Sequence, residues 1–522
     1  MKHFPQRPLT IVCRTSNLAV IQAERAKDLI LRHFPSAELR ILTKESAGDK
    51  NTTDPLYTLE GRDFFTKDID DYLLSGEADL AVHSLKDLSL ERTEDPAFVS
   101  AVFERDDPRD VVLFAPNALE KLSRQEVVTL GTSSLRRMEL VPAFLQKALP
   151  HLAPTEFHPN AAPRVRCANM RGNVDSRLRQ LAEGKFDGII LAAAGLNRLL
   201  ASAKHHDSIK ALLASFRIMV LPLVECPPAP GQGALIIEAR ANNTEAVAVI
   251  ERLRTPPLES ELAAERSLLR DFGGGCHQRF GAVNLTLENG SAVLIANGKA
   301  SNNESVETIS FSAPEVLKGK RIFAASDFMK DFFMTSYEAV SEDWGLAEDA
   351  VFVSHHRAAH NEVVLKELRQ KRVWTAGTRT WFDLAKRGVW VEGCSDGFGF
   401  RFLESVFSSP LVGLNARSMR ILTNTESAQD WQRGGFPATG LYTLHDNISE
   451  GIKDALREAD AYFWTSFGQY RACREYILPE KALHICPSGR TAAIFRSHGI
   501  EPVIVPSIKA FLLWQKHQQT NQ

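Results

Sequence analysis

The sequence predicts an α/β protein made of several layered units, and three observations predict it. Short β-branched apolar runs alternate with amphipathic helical stretches through the first half. Between Ala282 and Phe311 the pattern becomes short strands separated by polar turns. The last third repeats one strand–helix–strand unit.

In chain order, Leu9-Thr10-Ile11-Val12-Cys13 reads as a strand, and Leu18 to Phe34 as a helix of 3.6 period. Leu39–Thr43, Ala78–Ser84 and Gly188–Ala192 read as further strands of largely parallel sheets. Such sheets bind ligands beyond their carboxyl ends, so residues just after each strand are the candidates for chemistry. Cys226-Pro227-Pro228-Ala229-Pro230-Gly231-Gln232-Gly233 reads as a rigid crossover between domains. Ala282 to Phe311, with turns at Glu288-Asn289-Gly290 and Ser301-Asn302-Asn303, reads as a small α+β domain with an antiparallel sheet. In the last third, Val351–Ser354 with Thr375–Thr380 is echoed by Tyr462–Ser466 with Pro487–Thr491. Each copy reads as strand, helix, strand, polar turn, helix, strand.

The chain has 522 residues, with 62 Lys and Arg against 64 Asp and Glu, a net charge of −2 that argues against a general nucleic-acid binder. Its seven cysteines are scattered without a CxxC pair, which fits a reducing compartment and gives no zinc signature; no metal is expected. The first residues lack the apolar run of a signal peptide, and no run of about 18 apolar residues appears. The expectation is a cytoplasmic monomer with no membrane or nucleic-acid partner.

Cys276 lies behind Gly273-Gly274-Gly275, where the missing Cβ atoms let a large group approach the thiol. It reads either as a free cysteine in a turn or as a nucleophile or attachment point. Arg14, Arg136, Arg137, Arg171, Arg177 and Arg198 recur near strand-to-helix junctions, several beside Ser, Thr or Gly. Guanidinium forks match carboxylates in charge and geometry, so together they suggest a pocket for a ligand with many carboxylates. Phosphate is the competing ligand at Gly131-Thr132-Ser133-Ser134. No GxxxxGK[ST] run is present, which weighs against nucleoside triphosphates. In His83-Ser84-Leu85-Lys86-Asp87, strand alternation puts His83, Leu85 and Asp87 on one face. Asp87 reads equally as a carboxylate that stabilises a cation and as a helix N-cap. The polar stretch Glu45 to Arg62 reads as a lid or a surface loop.

These segments together resemble the porphobilinogen deaminases, also called hydroxymethylbilane synthases, from about residue 8 to 312. The resemblance rests on Arg14–Ala19, His83–Asp87, Arg105–Asp110, Gly131–Arg137, Arg171-Gly172-Asn173, Pro230–Gly233 and Gly274-Gly275-Cys276. It implies two lobes like those of periplasmic binding proteins and a small third domain. The implied bounds are 8–103 with 203–228, 104–202, and 229–315. It implies a dipyrromethane cofactor bound through a thioether to Cys276. Four porphobilinogens are then joined head to tail with loss of ammonia, giving a linear tetrapyrrole. Asp87 and Lys86 would be catalytic. Arg14, Ser16, Lys86, Ser134, Arg136, Arg137, Arg171, Arg177 and Arg198 would hold the cofactor chain. The sequence departs from the family at Gly61-Arg62-Asp63, where a glycine-rich lysine stretch is usual, and at His277, where glutamine is usual.

From 316 to 522 the repeat resembles uroporphyrinogen-III synthase, most clearly from Val351 to Pro506. The resemblance is carried by Trp464-Thr465-Ser466, by Gly489-Arg490-Thr491-Ala492 with Gly499-Ile500, and by Leu441-Tyr442-Thr443. It implies that Tyr442 assists departure of a leaving group, with Lys320–Ser326 as the first strand. The arginine usual after that strand is missing. Two other readings stand beside the bifunctional one. They are an active deaminase with a non-catalytic C-terminal domain, and a non-enzymatic carboxylate-binding protein.

Overall fold

The computed structural model describes residues 7–45, 66–152, 162–272, 278–287, 289–328, 332–477 and 483–520. Cys276, its glycines, His277 and nearly all of the expected lid lie outside the described residues. The chain divides into two compact units, one of residues 1–146, 161–284 and 295–307, the other of 147–160, 285–294 and 308–522.

The first unit is built on two five-stranded sheets. One runs in the order Leu39–Lys44, Leu9–Arg14, Leu80–Ser84, Ala234–Arg240, Phe98–Arg105. The other runs Arg164–Ala168, Val127–Gly131, Gly188–Ala192, Asp110–Phe114, Arg217–Val220. In each, the first three strands are parallel and the fourth lies antiparallel to the third. The near-continuous apolar runs of these strands follow from burial on both faces by helices. The helix Asn17–His33 buries Ala19, Ile21, Ala23, Ala26 and Ile30 at helical spacing, and Ser16 caps it by accepting from the Ala19 N–H.

Sheet pairing departs from the expected domain bounds. Arg217–Val220 falls within the stretch assigned to the first lobe, yet it pairs with Val111–Phe114 of the second sheet. Ala234–Arg240 lies beyond that stretch, yet it is the fourth strand of the first sheet. Thus the chain crosses between the two sheets twice, over after Arg105 and back after Val220, and neither apolar run records which sheet it enters. The crossover at 226–233 is packed backbone on backbone. Gly233 has φ +85°, and a Cβ there would sit on the Asp106 carbonyl. A Cβ on Gly281 would sit on the Pro227 carbonyl. Arg279–Thr286, Ala292–Lys299 and Ser305–Phe311 form a three-stranded sheet in sequence order, as the turn signals predict.

The second unit holds the two copies of the repeat. Ala350–Val353, Arg372–Thr375 and Val391–Cys394 are parallel neighbours in a six-stranded sheet. Ala461–Phe463, Leu483–Pro487 and Val503–Val505 are parallel neighbours in a four-stranded sheet. Ile322–Ala324 joins the latter beside Ala461–Phe463, which places the expected first strand. Trp374, Trp381, Trp464 and Phe511 are among the largest fully buried side chains of the chain.

Candidate functional site

In the first unit, site chemistry gathers beyond the carboxyl ends of parallel strands. The strand Leu80–Ser84 stops at Ser84, and Leu85–Asp87 forms a single 3-10 turn. This corrects the alternation expected for His83, Leu85 and Asp87, because strand period ends where the turn begins. It also removes Asp87 as a helix cap. Ser89 takes that role, accepting from the Arg92 N–H at 3.1 Å. The turn leaves Lys86 and Asp87 half-buried side by side. Burial holds the Lys86 ammonium below its usual pKa; Asp87 and Asp110 pull it up, while Arg137 and Arg136 push it down.

Within electrostatic reach of Lys86 is a buried ion triad that the sequence does not disclose. Asp110, fully buried, accepts from Arg137 at 2.7 and 3.2 Å and pairs with Arg136 at 2.8 Å. Gln232 donates to the same carboxylate at 2.8 Å and to the Pro108 carbonyl at 2.7 Å. Burial opposes the Asp110 charge, but the two guanidiniums outweigh it and hold the carboxyl well below its usual range. Arg136 also donates to the Pro227 carbonyl at 2.9 Å, and Arg137 to the Ile190 carbonyl at 3.0 Å. Both arginines were expected as ligand-holding groups, and both spend most of their donors on the protein.

The other expected arginines divide the same way. Arg198 is buried and donates to the Gly233 carbonyl at 2.6 Å. Arg177 donates to the Gly172 carbonyl at 2.8 Å, and burial with Arg137 and Arg171 nearby lowers its pKa to about 10. Arg14 and Arg171 are half-buried, at the end of Leu9–Arg14 and in the loop before Val174–Ala182. Ser134 accepts from the Arg137 N–H at 3.5 Å and is half-buried. Asn17 donates to Asp175 at 3.2 Å and ties the helix capped by Ser16 to the helix Val174–Ala182, which carries Arg177. The result is one region where Arg136, Arg137, Arg171, Arg177 and Lys86 feel one another, with Asp110 and Asp87 as the opposing charges.

Donors remain for a ligand. Arg136 Nε and Arg198 Nε are buried without a hydrogen-bond partner among the described residues. The Arg136 donor lies beside Arg137 and Asp110, and the Arg198 donor near Asp106 and Glu104; an open guanidinium N–H fits a carboxylate of a group that carries several. A dipyrromethane, with its acetate and propionate arms, is such a group.

A second buried network sits under the same strand. Arg92 donates to both oxygens of Asp70 at 3.0 Å and lies 3.3 Å from Glu238, which is 3.5 Å from His83 Nε2. Asp70, His83 and Glu238 have metal-like spacing, within 4.8 Å of one another, and Arg92 places a guanidinium among them. Burial first, then Arg92 and Arg14, lowers the His83 pKa to about 3. Glu265 forms a third buried hub: it pairs with Arg105 at 2.8 Å and accepts from the Gly231 and Asn284 N–H groups at 2.7 and 2.8 Å. Sequence reasoning missed Asp110, Glu238 and Glu265. Acidic residues inside apolar strands or helices are the signal that could have found them, since such residues are almost never buried unpaired.

In the second unit Tyr442 is buried on the strand Ala438–Asp446, opposite Asn424 and Tyr337 in register. Burial raises its phenol pKa, against a hydrogen bond from the Asn424 side chain and the charge of Arg357. His355 lies beside it, with ring centroids 6.3 Å apart. Among the described residues no helix is long and apolar enough to cross a membrane.

A family model described as "Porphobilinogen deaminase, dipyromethane cofactor binding domain" matches residues 9–248. The chain is 38% identical over 314 residues to the porphobilinogen deaminase of Thiobacillus denitrificans, covering 57% of this chain and 92% of that protein. It is 36% identical over 307 residues to that of Chromobacterium violaceum, covering 59% of this chain and 89% of that protein. The uroporphyrinogen-III synthetase structure from Helicobacter pylori 26695 covers 36% of this chain and 91% of its own, at 18% identity and a TM-score of 0.25, too weak to carry an argument. With over nine-tenths of a deaminase spanned at that identity, and with the cofactor-binding model matched, the chain belongs to the porphobilinogen deaminase family and carries that family's dipyrromethane cofactor.

Proposed function

We propose that the first unit joins four porphobilinogens head to tail into hydroxymethylbilane with release of ammonia, and that residues 316–522 close this product to uroporphyrinogen III. The observation that carries the first part is the Lys86–Asp87 turn, whose lysine feels the charges of the buried Asp110–Arg136–Arg137 triad. Loss of ammonia from porphobilinogen breaks its aminomethyl C–N bond and leaves a cationic pyrrole. The half-buried Asp87 carboxylate stabilises that cation and receives the pyrrole proton when the new C–C bond forms. Lys86, Arg171 and Arg177 hold acetate and propionate arms, while Arg136 and Arg198 offer their open Nε donors. The dipyrromethane, when bound, supplies the pyrrole α-carbon to which the first substrate ring is joined. Cys276 is its proposed attachment point.

In both five-stranded sheets the three parallel strands lie in the order second, first, third and an antiparallel strand follows, which supports a reading as paired lobes of the periplasmic-binding-protein type. For the second part, the two repeat copies and the buried Tyr442 beside Asn424 support a uroporphyrinogen-III synthase reading, with Tyr442 donating to the departing hydroxyl. The test is to incubate the full chain with porphobilinogen, oxidise, and resolve the uroporphyrin isomers. Isomer III is expected. Absence of porphyrin overturns the first part, and isomer I alone overturns the second.

A further inference from the structure

The six-stranded sheet of the second unit reverses its strand order at Ala350–Val353, which has Arg372–Thr375 on one side and Arg420–Asn424 on the other. Ligands of such sheets bind at this reversal, outside the carboxyl ends. The residues that follow Val353 are Ser354-His355-His356-Arg357, and those that end the neighbouring strand are Thr423 and Asn424. The groups facing His355 are His356, with ring centroids 4.2 Å away, Tyr442 at 6.3 Å, and the charges of Arg357 and Arg379. Arg379 comes from the helix Thr378–Lys386, and Tyr442 from the strand beside Asn424. The cluster holds two guanidiniums, two imidazoles, a phenol and an amide.

One contact fixes the chemistry of His355. Its Nδ1 accepts the Arg357 backbone N–H at 3.2 Å and caps the 3-10 turn His356–Ala359. A nitrogen that accepts this bond cannot carry a proton, so the ring proton resides on Nε2. Protonating the ring would turn Nδ1 into a second donor aimed at an N–H and would break the cap. A neutral imidazole N–H is also far too weak an acid to protonate a leaving hydroxyl.

We infer that His355 is a ligand-binding residue of this cluster, donating a fixed, neutral Nε2–H to a carboxylate of a polycarboxylate tetrapyrrole beside Tyr442. The inference rests on the reading of residues 316–522 given above. It assigns His355 recognition and leaves proton transfer to Tyr442. Burial first, then His356 and the Arg357 and Arg379 guanidiniums, lowers its pKa to about 3, so the ring stays neutral across the working range.

The test uses the full holoenzyme, whose deaminase site is filled by its own cofactor, and the octacarboxylate uroporphyrin III as probe, followed by tryptophan fluorescence. His355→Ser keeps an oxygen that can cap the turn but removes the ring donor. Its thermal midpoint is expected to match the parent while affinity falls about tenfold. His355→Gln, which restores a neutral donor at similar reach, is expected to bind within about threefold of the parent. Affinity should vary with pH in the same way for the parent and the Gln variant. Parent-like binding by His355→Ser overturns the inference. So does binding by His355→Gln as weak as by Ser, or a pH step present in the parent and lost in Gln. Supplying hydroxymethylbilane to the parent separates the two claims, because isomer I alone removes the synthase reading while the binding comparison still decides the role of His355.

Discussion

Asp110 is fully buried and is shared by Arg136, Arg137 and Gln232. Removing its charge strands two guanidiniums away from water. Asp110→Asn should therefore cost about 3–5 kcal/mol of stability, read from denaturant midpoints. Because its folded pKa lies below the unfolded one, its contribution is complete above pH ~4 and is lost as pH falls toward the folded value. The Asn variant should lose that part of the acid sensitivity. Asp87→Ala is expected to behave oppositely: near-parental stability, with porphobilinogen consumption reduced by at least about 100-fold. Substantial turnover would refute the role given to that carboxylate. The sequence displayed the six arginines, but not that Arg136 and Arg137 are held by an acid 26 and 27 residues before them. Pairing at that range is set by the fold, and periodicity carries no record of it.

At the scale of elements, the crossover 226–233 shows how closely backbones meet. Gly281→Ala would drive a methyl into the Pro227 carbonyl, and neither backbone can yield as a flexible side chain would. A loss of about 1–3 kcal/mol is expected, seen as a lowered thermal midpoint. Histidines report on elements as well. His83, His355 and His484 have pKa values lowered to about 3, about 3 and about 4, in each case mainly by burial. Their unfolded imidazoles bind protons near pH 6.5 while the folded ones do not, so stability should fall as pH drops from about 6.5 toward 4. His484, which accepts from the Trp464 indole N–H at 3.1 Å, is the clearest to test. His484→Gln should show a shallower decline in denaturant midpoint between pH 7 and 5. Strand and helix positions were legible in the sequence because buried parallel strands are apolar throughout. The 3-10 turn at Leu85–Asp87 was not, since three residues carry no period.

For the molecule as a whole, the two proposed activities use residues of different compact units. A full chain carrying Asp87→Ala should still convert supplied hydroxymethylbilane to the III isomer. One carrying Tyr442→Phe should still consume porphobilinogen at near-parental rate while the III fraction falls. An isomer assay on both variants checks this, and linked loss in either would mean the sites are not separable. The alternation of strands and helices made the fold class readable, and the repeat made the second unit readable. Assignment of Arg217–Val220 and Ala234–Arg240 to opposite sheets was not readable, since an apolar run carries no record of the sheet it joins.

The triad at Asp110 also constrains how this chain can change. Its members come from 110 and 136–137, and Gln232 donates to the same carboxylate, so no single substitution at one of these four leaves the others satisfied. A deep mutational scan should find nearly every single change there deleterious, while a few double changes that remove charge in matched pairs recover folding. The solvent-facing Arg164, which donates only to the Gln125 carbonyl among the described residues, should accept most substitutions one at a time. Descent along this lineage would then pass such a buried cluster on as a block, inherited together or lost together.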